Sequence, residues 1–269
     1  MRKPLAAVLI LWSVISAFAD RSSAQDSKPI QDNSFLIEEA YNQERGVVQH
    51  INAFQRLRSG NWAYTFTQEW PVPDLKHQLS YTLPILGPED NSGVGDISLN
   101  YRYQLIGDGD ATVAIAPRFS LILPTGDEKK GLGAGGIGFQ FNLPVSIVVH
   151  PKLATHWNAG MTFTPAAKNA DGVKDTKADF NLGQSFIWLA HQNVNVVLET
   201  VWNSVQTIES RGEKTRTSSL FINPGVRWAH NFDNGLQIVP GIAFPIGIGP
   251  SSGDYGVFFY LSFEHPFLK

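Results

Sequence analysis

The sequence predicts an all-β fold: a transmembrane up-and-down antiparallel β-barrel of about 12 strands, following a cleaved signal peptide. Three observations predict it. Ala111 to Leu123, "ATVAIAPRFSLIL", alternates between two phases for its whole length, whereas a strand in a soluble domain usually ends after about 5 to 6 residues. Similar segments recur roughly every twenty residues to the end of the chain. The connections between them alternate short and long, which places tight turns at one end of a closed sheet and longer loops at the other.

The first residues, "MRKPLAAVLILWSVISAFADRSSAQDS", set Arg2 and Lys3 before an apolar run from Leu5 to Phe18 and then small residues. This is the layout of a secretory signal peptide. Cleavage fits after Ala19 or Ala24; the second is preferred, giving a leader of residues 1–24. Residues 25–46 then form a periplasmic lead-in. Within it Phe35 to Gln43, "FLIEEAYNQ", has the spacing of two turns of amphipathic helix and would partly plug the barrel formed by residues 47–269.

Composition narrows the class. The chain has no Cys, which excludes a disulfide framework and a thiolate metal site. Lys plus Arg number 21 against 24 Asp plus Glu, and the leader removes more basic than acidic residues. The resulting mild acidity argues against a nucleic-acid partner. No segment after the leader approaches the ~18 consecutive apolar residues of a membrane helix.

Period-2 alternation places strands near 47–57, 61–70, 75–86, 96–107, 111–123, 137–149, 153–165, 178–190, 194–206, 218–230, 236–247 and 255–267. The first is the weakest of them. "GDGD" (107–110), "HPK" (150–152), "HQN" (191–193) and "NFDNG" (231–235) read as short turns, and 124–136, 166–177, 207–217 and 248–254 as long loops. Thirteen residues at ~3.3 Å rise and ~40° tilt project roughly 33 Å along the barrel axis, enough to cross an apolar band of ~25 Å.

The phase of the charges says which face meets lipid. From the second strand on, Glu69, Lys76, Asp96, Arg102, Arg118, Asp179, Glu199, Arg227 and Glu264 all fall in the polar phase. An Arg at the bilayer midplane facing lipid costs about 2–4 kcal/mol, so this phase faces the lumen. Trp62, Trp70, Trp157, Trp188, Trp202 and Trp228 occupy the other phase, as an aromatic girdle requires. Lumen-lining candidates are therefore Glu69, Asp96, Asn100, Arg102, Arg118, Gln140, Asn142, His156, Asn158, Asn181, Glu199, Asn203, Asn223, Arg227 and Glu264. Their mixed signs leave two readings open. Arg102 and Arg118 pair with Asp96 or Glu199 and plug the barrel, or they line a narrow diffusion path.

Several motifs are weaker than they look. "GLGAGG" (131–136) matches a dinucleotide fingerprint but leads into a strand, so no helix N-terminus awaits a pyrophosphate. His150, His191 and His230 each open a short turn, which scatters them around one rim rather than onto a metal. "NADGVKDTKAD" lacks the ligand spacing of a calcium loop. Ser146, His156 and Asn158 are near enough to imagine a hydrolase group, but they share the lumen phase and no G-x-S-x-G elbow is present. No cofactor and no catalytic residue is expected.

The last strand, with Tyr255, Val257, Phe259, Leu261, Phe263, His265 and Phe267 in phase, resembles the C-terminal aromatic signal read by the barrel assembly machinery of bacterial outer membranes; Leu268 and Lys269 extend beyond it. "FLIEEAYNQERGVVQHI" (35–51), "GVGDISLNYRYQL" (93–105) and "APRFSLILPTGDEKKGLGAGGIGFQFNLPVS" (116–146) resemble the outer-membrane barrels grouped as the putative MetA-pathway of phenol degradation family. That resemblance implies a transporter-like channel in outer-membrane lipid, passing a small, hydrophobic or aromatic solute without energy input. It implies no binding residues. A closed structural or surface-interaction barrel is the alternative, and a membrane-embedded lipid hydrolase a further one.

Overall fold

The computed structural model describes residues 30–87, 91–108 and 110–266. The predicted signal peptide lies outside them, as do Phe267 and the two residues that follow it. Sixteen strand segments form one antiparallel sheet that closes on itself. Four of the segments are continuations across a short break, so the barrel has twelve strands.

They are β1 Val47–Leu57, β2 Trp62–Pro71, β3 His77–Gly87, β4 Gly93–Val94 with Ile97–Tyr103, β5 Val113–Ile115 with Arg118–Leu123, and β6 Gly138–His150. There follow β7 Leu153–Lys168, β8 Lys174–His191, β9 Val194–Ser210, β10 Glu213–Trp228 with His230–Asn231, β11 Gln237–Ala243 with Ile246–Gly247, and β12 Gly256–Pro266. β1 pairs with β12 along its entire length, from Val47 opposite Pro266 to Leu57 opposite Gly256, and this seam closes the cylinder. The strand with the weakest sequence signal is thus held on both sides, by β12 and β2.

The alternation sorts the two faces as the sequence requires. On β5, Val113 and Phe119 are exposed while Ala114, Ala116 and Ser120 are buried. The break at Ala116 and Pro117 does not shift this phase. Pro117 has no N–H to give, yet its carbonyl accepts from Tyr103 N–H at 3.1 Å and Leu105 N–H reaches Ile115 O at 2.9 Å. Outside, Phe141, Leu143, Leu182, Phe186, Leu198 and Phe259 form a continuous exposed apolar band. Trp157, Trp188 and Trp228 stand exposed on that face near the short-turn ends of β7, β8 and β10, the depth at which amphipathic rings sit in a bilayer.

Two features depart from expectation. The stretches 166–177 and 207–217 are not long loops: β7 to β10 run on for 16, 18, 17 and 16 residues and end in tight turns. The turn glycines Gly172 and Gly212 have φ of 80° and 81°, a region L side chains enter at a cost. At ~3.3 Å per residue these hairpins rise well past an apolar band of ~25 Å. Their tips are polar, with Lys214 on Asp175 at 3.0 Å and Gly212 N–H on the same carboxylate at 2.9 Å.

The second departure concerns the lead-in. Phe35 to Gln43 forms no helix; it is an irregular segment inside the barrel, bent at residues 35–37 and 40–41. The lumen also has an apolar side that the polar-phase reading missed. Ile187, Val197, Val239, Ala243, Phe258 and Tyr260 point inward and bury Ile30 and Phe35 of the lead-in, with Phe35 edge-on to Phe258 at 5.5 Å and to Tyr260 at 5.8 Å.

Substitution on the lipid face should show a depth dependence. Leu182→Arg, in the middle of β8 and 53% exposed, is expected to lower stability by about 2–4 kcal/mol in urea titrations of vesicle-folded protein. Tyr255→Arg, at the rim where Arg58 already stacks on the ring, is expected to cost about 0–1 kcal/mol.

Candidate functional site

An irregular segment inside a barrel has a row of peptide groups and no strand paired with it, and buried peptide groups need partners. Here the wall supplies them through side chains. Glu199 Oε1 accepts the N–H groups of Phe35 (3.0 Å), Leu36 (2.7 Å) and Ile37 (3.1 Å). Asn158 Oδ1 takes Glu38 N–H at 2.8 Å, Ser146 Oγ takes Ala40 N–H at 2.8 Å, Gln104 Oε1 takes Asn42 N–H at 3.1 Å and Gln78 Oε1 takes Gln43 N–H at 2.8 Å. These acceptors explain the missing helix, because seven donors that would have sought carbonyls four residues back are bound by the wall instead.

The carbonyls are matched in the same way. Asn195 donates to Gln31 O (2.8 Å), His156 Nε2 to Asp32 O (2.8 Å) and Arg227 to Asn33 O. Asn158 donates to Glu38 O (2.7 Å), Gln104 to Ala40 O (2.7 Å), and Arg102 to both Glu39 O (3.1 Å) and Tyr41 O (2.7 Å). Asn158 and Gln104 each hold an N–H and a C=O together, as a facing peptide group would.

One side chain of the lead-in carries the charge balance. Arg102 and Arg118 lie directly opposite each other on β4 and β5, a like-charge pair that is destabilising by itself. Glu38 bridges them, with Oε1 at 3.2 Å from Arg102 Nη1 and Oε2 at 2.8 Å from Arg118 Nε. Asn142 adds a bond to Oε2 at 2.9 Å. Burial pushes the Glu38 carboxyl up, but Arg118 and Arg102 outweigh it and hold the group below the usual carboxylate range. Arg102 is only 2% exposed. Arg118 also reaches Asn100 Oδ1, Ser120 Oγ and Gln140 Oε1.

The arginines therefore do not pair with Asp96 or Glu199, as one of the two readings required. Asp96 instead binds Gly126 N–H (2.9 Å) and Ala134 N–H (2.7 Å), which ties both arms of the 124–136 loop to one carboxylate. The glycine run has its use here, because a Cβ on Gly133 would collide with the Asp96 carboxylate. Glu199, besides its three N–H bonds, accepts from Asn223 Nδ2 at 2.7 Å.

The remaining candidates all face inward. Glu69 accepts from Gln78 (2.9 Å), Glu264 from Gln49 (3.0 Å), Gln140 donates to Thr162 (2.9 Å) and Arg227 stacks over Tyr260 at 4.8 Å. Asn181 and Asn203 border a cavity of about 250 Å³ with Leu36, Glu38, Gln140 and Asn142. On the other side of the lead-in, Glu69, Asn100, Arg102, Thr65, Thr82 and Tyr260 border a second of about 220 Å³. Leu36 to Glu38 and Arg118 belong to both, so the lead-in divides the lumen.

Ser146 and His156 do meet, with Oγ at 2.7 Å from Nδ1. A carbonyl can only accept, so the bond from His156 Nε2 to Asp32 O places the ring proton on Nε2 and leaves Nδ1 to accept from the serine. Ser146 Oγ meanwhile receives Ala40 N–H, and Asn158 is held by Glu38. All three of these groups hold the lead-in. Sequence reasoning missed Glu38, Gln78 and Gln104; the available signal was two lumen arginines without a matching wall carboxylate, beside an acidic pair in the lead-in.

A closed barrel with an apolar exterior, an aromatic girdle and a charged, hydrogen-bonded interior defines an outer-membrane β-barrel of the bacterial type. The chain belongs to the family described as "Putative MetA-pathway of phenol degradation", whose model matches residues 19–247. Among solved structures it is similar to an outer membrane channel from Pseudomonas putida F1, at 12% identity and TM-score 0.55, over 84% of this chain and 97% of that one. It is also similar to the NanC porin, at 7% identity and TM-score 0.54, over 81% of this chain and 98% of that one. No curated protein matches the sequence.

Glu38→Gln is expected to leave the barrel folded and loosen the lead-in. Hydrogen bonds to charged groups contribute about 1.5–3 kcal/mol, so exchange of the amide protons of residues 35–43 is expected to quicken by at least tenfold.

Proposed function

We propose that this protein is a passive channel of the outer membrane for small solutes, with the lead-in as its internal gate. The observation that carries this reading is the division of a polar lumen into two cavities by a segment bonded to the wall through side chains from residue 31 to residue 43, with Ile30 N–H on Gln192 O as a backbone bond at its start. Such a segment can leave without breaking any strand ladder. When it leaves, Arg102, Arg118, Glu69, Glu199, Asn142, Asn158, Asn181, Asn203, Asn223, Arg227 and Glu264 line the path. No cofactor and no energy source enters the mechanism.

The solute class we favour is a single ring bearing a hydroxyl. The second cavity sets Phe35, Tyr260, Ile51 and Ala53 against Thr65, Thr67, Ser80 and Thr82, so an apolar face and a hydroxyl each find a partner. Its volume of about 220 Å³ falls just below the ~300 Å³ at which drug-sized pockets begin. The family description points the same way. We read the Ser146 and His156 pair as part of the gate and the protein as non-enzymatic.

Planar-bilayer recording tests the reading. The Glu38→Gln protein is expected to show more frequent and larger open steps than the parent, and Arg118→Gln to shift ion selectivity toward cations. A protein that never conducts in either form would favour a closed structural barrel. Ester hydrolysis that vanishes in Ser146→Ala would favour an enzyme.

A further inference from the structure

The wall recognises backbone more than side chains, and this has a chemical meaning independent of conduction. Among residues 31–43, seven N–H groups and seven carbonyls are held by barrel side chains. A peptide-binding groove normally offers a strand edge for this purpose and reads side chains in pockets. Here carboxamides, a carboxylate, a hydroxyl, an imidazole and two guanidiniums of the wall replace the edge.

The pockets are present too. The Phe35 ring fills the space that a Cβ on Gly225 or Gly241 would take, and Ile37 Cδ1 fills that of a Cβ on Gly183. These glycines lie in strands where glycine is costly, so their absent side chains serve as sockets. Next in the segment, Glu38 meets Arg102 and Arg118. We propose that the inner wall is a binding site for a peptide of aromatic, any, aliphatic, acidic order in a bent conformation whose successive N–H groups converge on Glu199, that residues 35–38 are its resident ligand, and that the site takes such a peptide in trans.

Backbone recognition of a peptide ligand requires ordering a flexible segment at binding, which weakens affinity unless anchors compensate. Phe35 and Ile37 in their sockets and Glu38 between two guanidiniums are the anchors that the geometry provides. Glu44 and Arg45, just after the bound stretch, are exposed, so the ligand can be cut free without touching it.

The test uses the full chain with a site-specific protease sequence inserted between Glu44 and Arg45. After folding, cleavage turns the lead-in into a separate peptide. It is expected to co-elute with the barrel in detergent, and a labelled synthetic peptide of residues 30–44 is expected to exchange into its place. Phe35→Ala or Glu38→Gln in that peptide, or Gly183→Val in the barrel, should each weaken binding by about tenfold or more. As a second measurement, the uncut Glu38→Gln protein should lose its open steps when the parent peptide is added. The proposal is overturned if the cleaved segment departs and the labelled peptide does not rebind, or if a scrambled peptide binds equally well. Peptide binding to a barrel that conducts in no state would instead remove the channel reading and leave this one standing. Conduction that no peptide blocks would do the reverse.

Discussion

Two guanidinium groups opposite each other on neighbouring strands impose the constraint from which much of the interior follows. Arg102 and Arg118 cannot sit side by side in a narrow lumen without an anion. The wall supplies no carboxylate that touches both: Glu69 borders the same cavity as Arg102 but holds Gln78, Asp96 holds a loop and Glu199 holds three amide protons. The anion comes from Glu38, which lies outside the barrel in sequence. Once Glu38 is drawn between the arginines, the chain on either side is drawn into the lumen with it, and its peptide groups become the problem that Asn158, Gln104, Ser146, Gln78 and Glu199 solve.

The barrel was legible in the sequence because lipid and lumen select opposite residue types at alternate positions. Eleven strands announced themselves by this phase, and the twelfth, β1, was faint because its outward face carries His50, Asn52 and Arg56 among apolar residues. The tall hairpins of β7 to β10 were harder to read. Above the bilayer nothing apolar selects one face, so Lys174 to Lys177 and Ser210 to Arg216 look like loop while continuing as strand.

The partnerships were not legible. Phase says that Arg102 points inward but is silent on what it meets, since that depends on strands distant in sequence and on a segment with no phase of its own. "FLIEEAYNQ" has helical spacing, and in water its amide protons have its own carbonyls and solvent as partners. The wall changes that competition by offering five acceptors that take seven amide protons. The inward aromatic residues Phe258 and Tyr260 were overlooked because polar phase was equated with polar residue. Their place became clear only with Ile30 and Phe35 packed against them.

β4 deserves a last consideration as a mechanical element. It carries Asp96 at one end and Arg102 near the other, both on the inner face and six residues apart, about 20 Å along the strand. The first fastens the outer loop and the second fastens the inner segment. One strand of the wall thus anchors both an outer loop and the inner segment, so the two share a single frame.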